Sequence, residues 1–187
     1  FRDDAISFDP MKKILYVHIA DLSRVIKSGS LLDEVARLRL QSLYAAAMPL
    51  HMLPPRLLHH VGLSADLPNE CVTAIIKLDT MGNIRHSQLV RSVVPPVRLL
   101  SFEEVNALLC SSGIDSQVHR DLRALKDVML RRADTRNGGR TNAEPTGSNA
   151  MSGSTSVRWR GTASGGVRAE VYMKTNAHII VNEALAM

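Results

Sequence analysis

Cysteine is scarce in this chain of 187 residues, which carries only Cys71 and Cys110. Two cysteines do not form the disulfide framework of a small secreted domain, so an intracellular, reducing compartment fits, either mitochondrial or cytoplasmic. No run of residues is apolar and long enough to span a bilayer, and the first residues lack the pattern of a signal peptide, so we expect no membrane partner. Because the chain opens with Phe1 and stops at Met187 inside a predicted helix, we expect a segment of a longer or processed chain.

The composition is that of a globular protein with an excess of positive charge. Hydrophobic residues make up 45% of the chain, and the formal net charge is +5. At this length, one domain with a sizeable core is expected. The basic excess is mostly arginine, whose planar guanidinium matches phosphate well, so the charge is compatible with a polyanionic partner without establishing one.

The spacing of apolar residues predicts an α/β (α+β) fold. Short apolar and β-branched runs predict strands at 5–8, 14–20, 72–78, 84–94, 157–160 and 167–173. Helical spacing, with capping residues before two of the segments, predicts helices at 31–43, 101–109, 115–132 and 176–187. Prolines at positions 49, 54 and 55 predict an extended loop over 48–56.

The segment 133–156 contains almost nothing to bury. It consists largely of Asn, Gly, Ser, Thr and Arg, which predicts a flexible polar and basic linker. This linker would separate an N-terminal part, 1–132, from its continuation at 157–187, which is truncated at a helix.

We expect the core to form from the apolar positions of the predicted strands and helices. The predicted core residues are Ile14, Val17, Ile19, Leu32, Val35, Ile75, Leu78, Val93, Leu99, Val105, Leu108, Leu122, Leu125, Ile179 and Ile180. His18 lies in the middle of an apolar strand, so we expect a hydrogen-bonded core histidine rather than a metal ligand.

The first two predicted strands carry the most specific pattern. Residues 3–7 read Asp-Asp-Ala-Ile-Ser and residues 16–21 read Tyr-Val-His-Ile-Ala-Asp. Together they resemble the start of the RNB catalytic domain of the ribonuclease II family. Further segments resemble that family in the same order along the chain, at 29–37, 42–44, 52–55, 91–94, 98–106 and 177–183. A single segment is a weak match, whereas the ordered set strongly favours the resemblance.

The resemblance implies an RNB-like mixed sheet around a cleft, with helices outside. It also implies magnesium-dependent 3′-to-5′ exoribonuclease activity on single-stranded RNA. Asp3 and Asp4 would hold the metal, with Asp4 catalytic, because magnesium prefers hard oxygen ligands and bound divalent ions can orient the attacking water. Tyr44 would stack on an RNA base, and Arg91 and Arg98 would bind RNA.

Departures from the family pattern support a second hypothesis. Phe1 stands where the family has another acidic residue, and the loop over 63–71 is shortened and lacks an expected arginine. The chain would then be a catalytically degenerate RNB domain without a magnesium cofactor. It would act as a scaffold that binds RNA, or other proteins of a ribonucleoprotein complex.

Overall fold

The computed structural model describes residues 2–44, 49–111, 116–136, 155–161, 167–173 and 175–187. For Tyr44 and for the ranges 155–161 and 167–173, it describes the backbone alone. The predicted linker lies mostly outside these ranges, at 137–154.

A four-stranded antiparallel sheet is the centre of the fold. Its strands are β1 (Asp4–Asp9), β2 (Ile14–Ala20), β5 (Asn69–Leu78) and β6 (Ile84–Val94), in the spatial order β1-β2-β5-β6. Two small antiparallel pairs join β3 (Leu43–Tyr44) to β4 (Pro49–Leu50), and β7 (Thr155–Gly161) to β8 (Val167–Met173). The predicted α/β class is confirmed, and the described strands pair antiparallel throughout.

The two hairpins of the sheet are held by aspartate side chains. In the β1–β2 turn, Asp9 accepts hydrogen bonds from the backbone N–H groups of Met11 and Lys12. In the β5–β6 turn, Asp79 does the same for Met81 and Asn83. Such side-chain bonds to nearby backbone are the reason that aspartate favours turns.

In the described ranges, five α-helices accompany the strands. They are α1 (Leu31–Arg39), α2 (Pro55–Val61), α3 (Phe102–Cys110), α4 (Gln117–Arg136) and α5 (Asn176–Leu185), with a short 3₁₀ turn at Leu22–Arg24. A capping box opens α3, because Ser101 accepts from the N–H of Glu104 while the Glu104 carboxylate accepts from the N–H of Ser101. None of the helices in the described ranges is both long and apolar enough to cross a membrane.

The prediction of an extended loop over 48–56 was wrong at both ends. Pro49 pairs with Tyr44 in the two-residue strand β4. Proline has no N–H to donate, and so short a strand does not need that hydrogen bond to continue a long ladder. Pro55 opens α2, where a proline costs nothing because the first N–H groups of a helix have no partner within it. Helix α1 is also shorter than predicted, since Leu40 leaves the helical conformation with φ of 65°.

Helix α4 extends into the segment predicted as a linker. Residues 133–136 are helical, and Thr155 and Ser156 already belong to β7. A tertiary contact accounts for the longer helix, because Arg136 donates a hydrogen bond of 2.5 Å to the carboxylate of Glu183 on α5. Composition alone does not reveal such a partner.

The core lies between one face of the sheet and the helices α4 and α5. It contains Phe8, Leu15, Val17, Ile76, Leu78, Leu125, Val128, Met129, Ile180 and Ala184. We call this side of the sheet the helix-covered face and the opposite side the open face. Of the predicted core residues, Val17, Leu78, Leu125 and Ile180 are buried, whereas Ile19, Val93 and Leu99 are 42%, 67% and 40% exposed. Alternation along β2 puts Ile19 on the helix-covered face, but outside the area that the helices cover.

Candidate functional site

Asp3 and Asp4 lie at the start of β1, and the backbone around them is fixed from two sides. The N–H of Ala20, at the end of β2, donates to the carbonyl of Asp3 at 2.7 Å. The N–H of Leu63 donates to the carbonyl of Arg2 at 2.8 Å. The carboxylates are therefore carried by a short, anchored segment rather than by a free chain end.

The negative charges of Asp3 and Asp4 are not compensated by a cationic side chain of the described residues. Asp3 is exposed and Asp4 is partly buried. Burial raises the pKa of the Asp4 carboxyl, the negative charge of Asp3 raises it further, and a hydrogen bond from the backbone N–H of Asp4 opposes both effects. Neither aspartate forms an ion pair with any residue that the structure describes. A divalent cation would stabilise this pair, and carboxylate oxygens are the ligands that magnesium prefers.

The described ranges contain no cluster of three or more Asp, Glu, His or Cys side chains that could hold a metal ion. Asp3 and Asp4 offer carboxylate oxygens of the kind that magnesium prefers, and would be two of its ligands.

A row of paired residues runs from Asp4 across the whole sheet. Asp4 is paired with Ile19, Ile19 with Val72, and Val72 with Arg91 on β6. Because paired residues of antiparallel strands point to the same face, all four side chains lie on the helix-covered face. Three interstrand steps of about 4.8 Å put Arg91 roughly 14 Å from Asp4. The row has an acidic end, an apolar middle and a basic end.

Arg91 is held in place by the segment that follows β2. Its Nε lies 3.5 Å from the carboxylate of Asp21, and its terminal nitrogen donates to the hydroxyl of Ser23 at 3.1 Å. Asp21 is buried and also accepts from the N–H and the hydroxyl of Ser23, at 3.1 and 2.5 Å. The Arg91 side chain is still 75% exposed, so its other N–H groups remain accessible.

Sequence reasoning selected Arg91 but missed Asp21 and Ser23 as the residues that orient it. An aspartate directly after a buried strand, with serine two positions later, was the available signal. That signal indicates a local turn and does not reveal a partner on β6.

A chain of hydrogen bonds crosses the open face. His18 bonds through Nε2 to the hydroxyl of Ser7 at 3.0 Å and through Nδ1 to Thr73 at 2.9 Å, and Thr73 bonds to Ser92 at 2.5 Å. Burial lowers the pKa of His18, which favours the neutral ring, and each hydroxyl partner can either donate to or accept from a ring nitrogen. The predicted burial and hydrogen bonding of His18 are confirmed, but it lies on the open face and not in the core between the sheet and the helices. Together with Tyr16, these residues line a groove of about 320 Å³.

The other two residues predicted to contact RNA, Tyr44 and Arg98, lie outside the row of paired residues that begins at Asp4. The backbone of Tyr44 pairs with Pro49 in the small β3–β4 sheet, while its side chain is outside the described parts, so base stacking stays a prediction. Arg98 is exposed in the segment between β6 and α3. Hydrogen bonds from Ser101 lower the pKa of the Glu104 carboxyl, and the charge of Arg98 adds a smaller lowering.

Comparison with known proteins decides the family. The sequence pattern of the RNB domain matches residues 1–187, the whole chain. The chain belongs to the RNB domain family. Ribonuclease R of Helicobacter pylori is 28% identical to it over 131 residues, which cover 69% of this chain and 20% of that protein. Ribonuclease R of Thermotoga maritima is 31% identical over 111 residues, covering 57% of this chain and 16% of its own length. This RNB chain thus spans about a fifth or less of the curated relatives that it matches.

Solved structures share the RNB fold at low sequence identity. RNase R of Mycoplasma genitalium in complex with ribose-methylated single-stranded RNA has a TM-score of 0.78 and 20% identity, over 97% of this chain and 28% of that one. Yeast Ssd1, described as a pseudonuclease, has a TM-score of 0.60 and 18% identity, over 73% of this chain and 17% of its own. At these identities the likeness establishes the fold alone.

Proposed function

We propose that this chain is part of an RNB-family exoribonuclease that degrades single-stranded RNA from its 3′ end. The observation that carries the proposal is the Asp3–Asp4 pair, anchored at the start of β1 and without a compensating cation among the described residues. It occurs in a chain that matches the RNB domain over its full length. Two adjacent carboxylates that destabilise each other are suited to binding a divalent cation.

In this proposal Asp3 and Asp4 hold magnesium, which would stabilise negative charge at the phosphate under attack. Asp4 has the catalytic role because its partly buried carboxylate is the more desolvated of the two, and electrostatic interactions are stronger where water is excluded. The exposed Asp3 would bind the same magnesium ion from the solvent side.

We further propose that the RNA backbone follows the row from Asp4 to Arg91. Arg91 would bind a phosphate through the N–H groups that Asp21 and Ser23 leave accessible. Arg98 and Tyr44 would contact RNA outside this row, Arg98 through its charge and Tyr44 by stacking. The structure of the Mycoplasma genitalium relative in complex with single-stranded RNA supports RNA as the ligand class.

A specific observation favours the alternative of a degenerate RNB domain. The described ranges bring no third metal-binding side chain to Asp3 and Asp4, and Phe1 occupies a position where the family pattern has an acid. Yeast Ssd1, described as a pseudonuclease, shares the fold. In this case the same surface would bind RNA, or proteins of a ribonucleoprotein complex, without hydrolysis.

The deciding experiment uses the full-length protein and a single-stranded RNA labelled at its 5′ end. With magnesium, the nuclease hypothesis predicts shortening from the 3′ end that Asp4→Asn abolishes. Asp127→Asn, the same chemical change at a side chain that is 59% exposed on α4, is the matched control and should retain activity. If the parent protein and Asp4→Asn are equally inert while RNA binding persists, the degenerate hypothesis holds and the nuclease proposal fails.

A further inference from the structure

Strand β6 has an outer edge that no other described strand pairs with. It is the last strand of the four-stranded sheet and runs for 11 residues, from Ile84 to Val94. In an antiparallel ladder, roughly every second residue of an edge strand directs its N–H and C=O away from the sheet. Unpaired groups of this kind are a template on which another strand can assemble.

Several of the usual protections of an edge strand are lacking on β6, whose charged residues are Arg85 and Arg91. Residues 84–94 contain no proline, glycine, lysine or acidic residue. The opposite edge, β1, is only 6 residues long and carries an aspartate at each end, Asp4 and Asp9. Within the described sheet, β6 is therefore the edge suited to accept a further strand.

The exposed side chains of β6 form a pattern on the helix-covered face. Leu89 is 74% exposed and Val93 is 67% exposed, and Arg91 lies between them on the same face. The Arg91 side chain is itself 75% exposed, although Asp21 and Ser23 fix its position. Two solvated apolar side chains thus flank an oriented guanidinium.

We propose that β6 binds an extended, acidic segment of another protein as an added strand. The backbone edge supplies the hydrogen bonds, and directly opposite side chains supply the specificity. On the face that Leu89, Arg91 and Val93 share, the added strand carries an apolar, an acidic and an apolar residue at alternate positions. The acidic residue pairs with the guanidinium of Arg91 through N–H groups that Asp21 and Ser23 leave accessible.

Charge argues against a second copy of this chain as the occupant. Within β6, Arg85 and Arg91 have side chains that are 69% and 75% exposed, and no carboxylate lies in the strand. Arg85 is already paired with Asp79 and Arg91 with Asp21, so a second β6 strand would add two more arginines and no carboxylate to face them. An acidic partner segment would instead be attracted by Arg85 and Arg91.

The test is binding of a fluorescent peptide of about ten residues, the length of a long strand. The peptide alternates valine and threonine, with glutamate in place of the central valine. We expect saturable binding to the full-length protein in the absence of RNA, and slowed amide hydrogen exchange at alternate residues of 84–94. A peptide with lysine in place of the glutamate should bind about tenfold more weakly.

Two exposed positions give matched protein variants. Leu89→Glu puts a negative charge opposite the peptide and removes an apolar contact, so it should weaken binding about tenfold. Met11→Glu makes the same change of charge at a side chain that is 90% exposed in the β1–β2 turn, and should bind like the parent. Equal binding of the glutamate and lysine peptides, or binding without protection of β6, would overturn the proposal. A protein that dimerises through β6 would also overturn it. Because no RNA is present, these results do not depend on the proposed nuclease function.

Discussion

Alanine at Gly82 is expected to be much more destabilising than alanine at Gly29, although both glycines have similar backbone conformations. Gly82 has φ of 82° and Gly29 has φ of 76°, in the region that residues with a side chain rarely adopt. Their surroundings differ. A Cβ at Gly82 would lie 2.9 Å from the Cβ of Arg132 and 2.9 Å from the carbonyl oxygen of Val128, whereas a Cβ at Gly29 would meet nothing within 4 Å.

The two costs follow from this difference. Backbone strain from a positive φ is about 1 kcal/mol for either alanine. At Gly82 the β5–β6 turn must also move away from α4, because neither the helix backbone nor the Cβ of Arg132 can rotate out of the way. An overpacked contact of this kind costs about 1–3 kcal/mol. We therefore expect Gly29→Ala to lower the free energy of unfolding by about 1 kcal/mol, and Gly82→Ala by about 3 kcal/mol.

Urea denaturation followed by circular dichroism measures both values, with the parent protein and each variant at the same pH and salt concentration. The difference between the variants isolates the contact with α4, since the backbone strain is common to both. If the two substitutions cost the same within error, the close packing of the β5–β6 turn against α4 would be refuted.

Other substitutions test the core, the buried charge and the aspartate pair. Met129→Ala removes a side chain with 0% exposure and should cost about 3 kcal/mol in urea denaturation; a cost below about 1 kcal/mol would contradict its place in the core. Glu183→Ala removes the buried carboxylate that accepts from Arg136 at 2.5 Å and lies 3.8 Å from Arg132, and should cost about 2 kcal/mol, since water reaches part of both arginines. Glu183→Gln, which retains the shape, should cost less by the same measurement. Folding raises the pKa of Asp4, so its ionised form destabilises the folded state above the folded pKa, and this penalty disappears below the unfolded value of 3.8. Asp4→Asn should therefore raise the melting temperature at pH 7, and this increase should disappear as the pH falls towards 3.8. An increase in melting temperature that is independent of pH would contradict a raised pKa of Asp4 in the folded protein.

Local chemistry made much of the fold predictable. The aspartates of the two hairpins and the Ser101 capping box act on backbone groups within a few residues, so their effect can be inferred from neighbouring sequence. The strands β2 and β6 follow from apolar and β-branched composition. The errors occurred where a local rule had an exception, as at Pro49 and Pro55, or where a distant residue intervened, as for the end of α4.

Burial was predicted less well than secondary structure. Ile19 and Val93 belong to regular strands, and alternation puts each on the same face as core residues. Whether such a side chain is covered depends on where α4 and α5 end relative to the sheet. Strand periodicity carries no information on that position, so exposed residues were included in the predicted core.

The features of the candidate site also differ in whether local sequence or tertiary contacts determine them. The Asp3–Asp4 pair, the family and the burial of His18 were determined by the sequence itself, because each depends on a short pattern or on the ordered set of patterns. Only the tertiary structure decided which groups orient Arg91, since Arg91 and Ser23 are 68 positions apart and meet across strand ends. It also decided that Arg136 extends α4 to reach Glu183, 47 positions away, and that β6 is an exposed edge. The physical reason is that turns, caps and strand propensity act over a few residues, whereas ion pairs, burial and sheet edges depend on segments that only folding brings together.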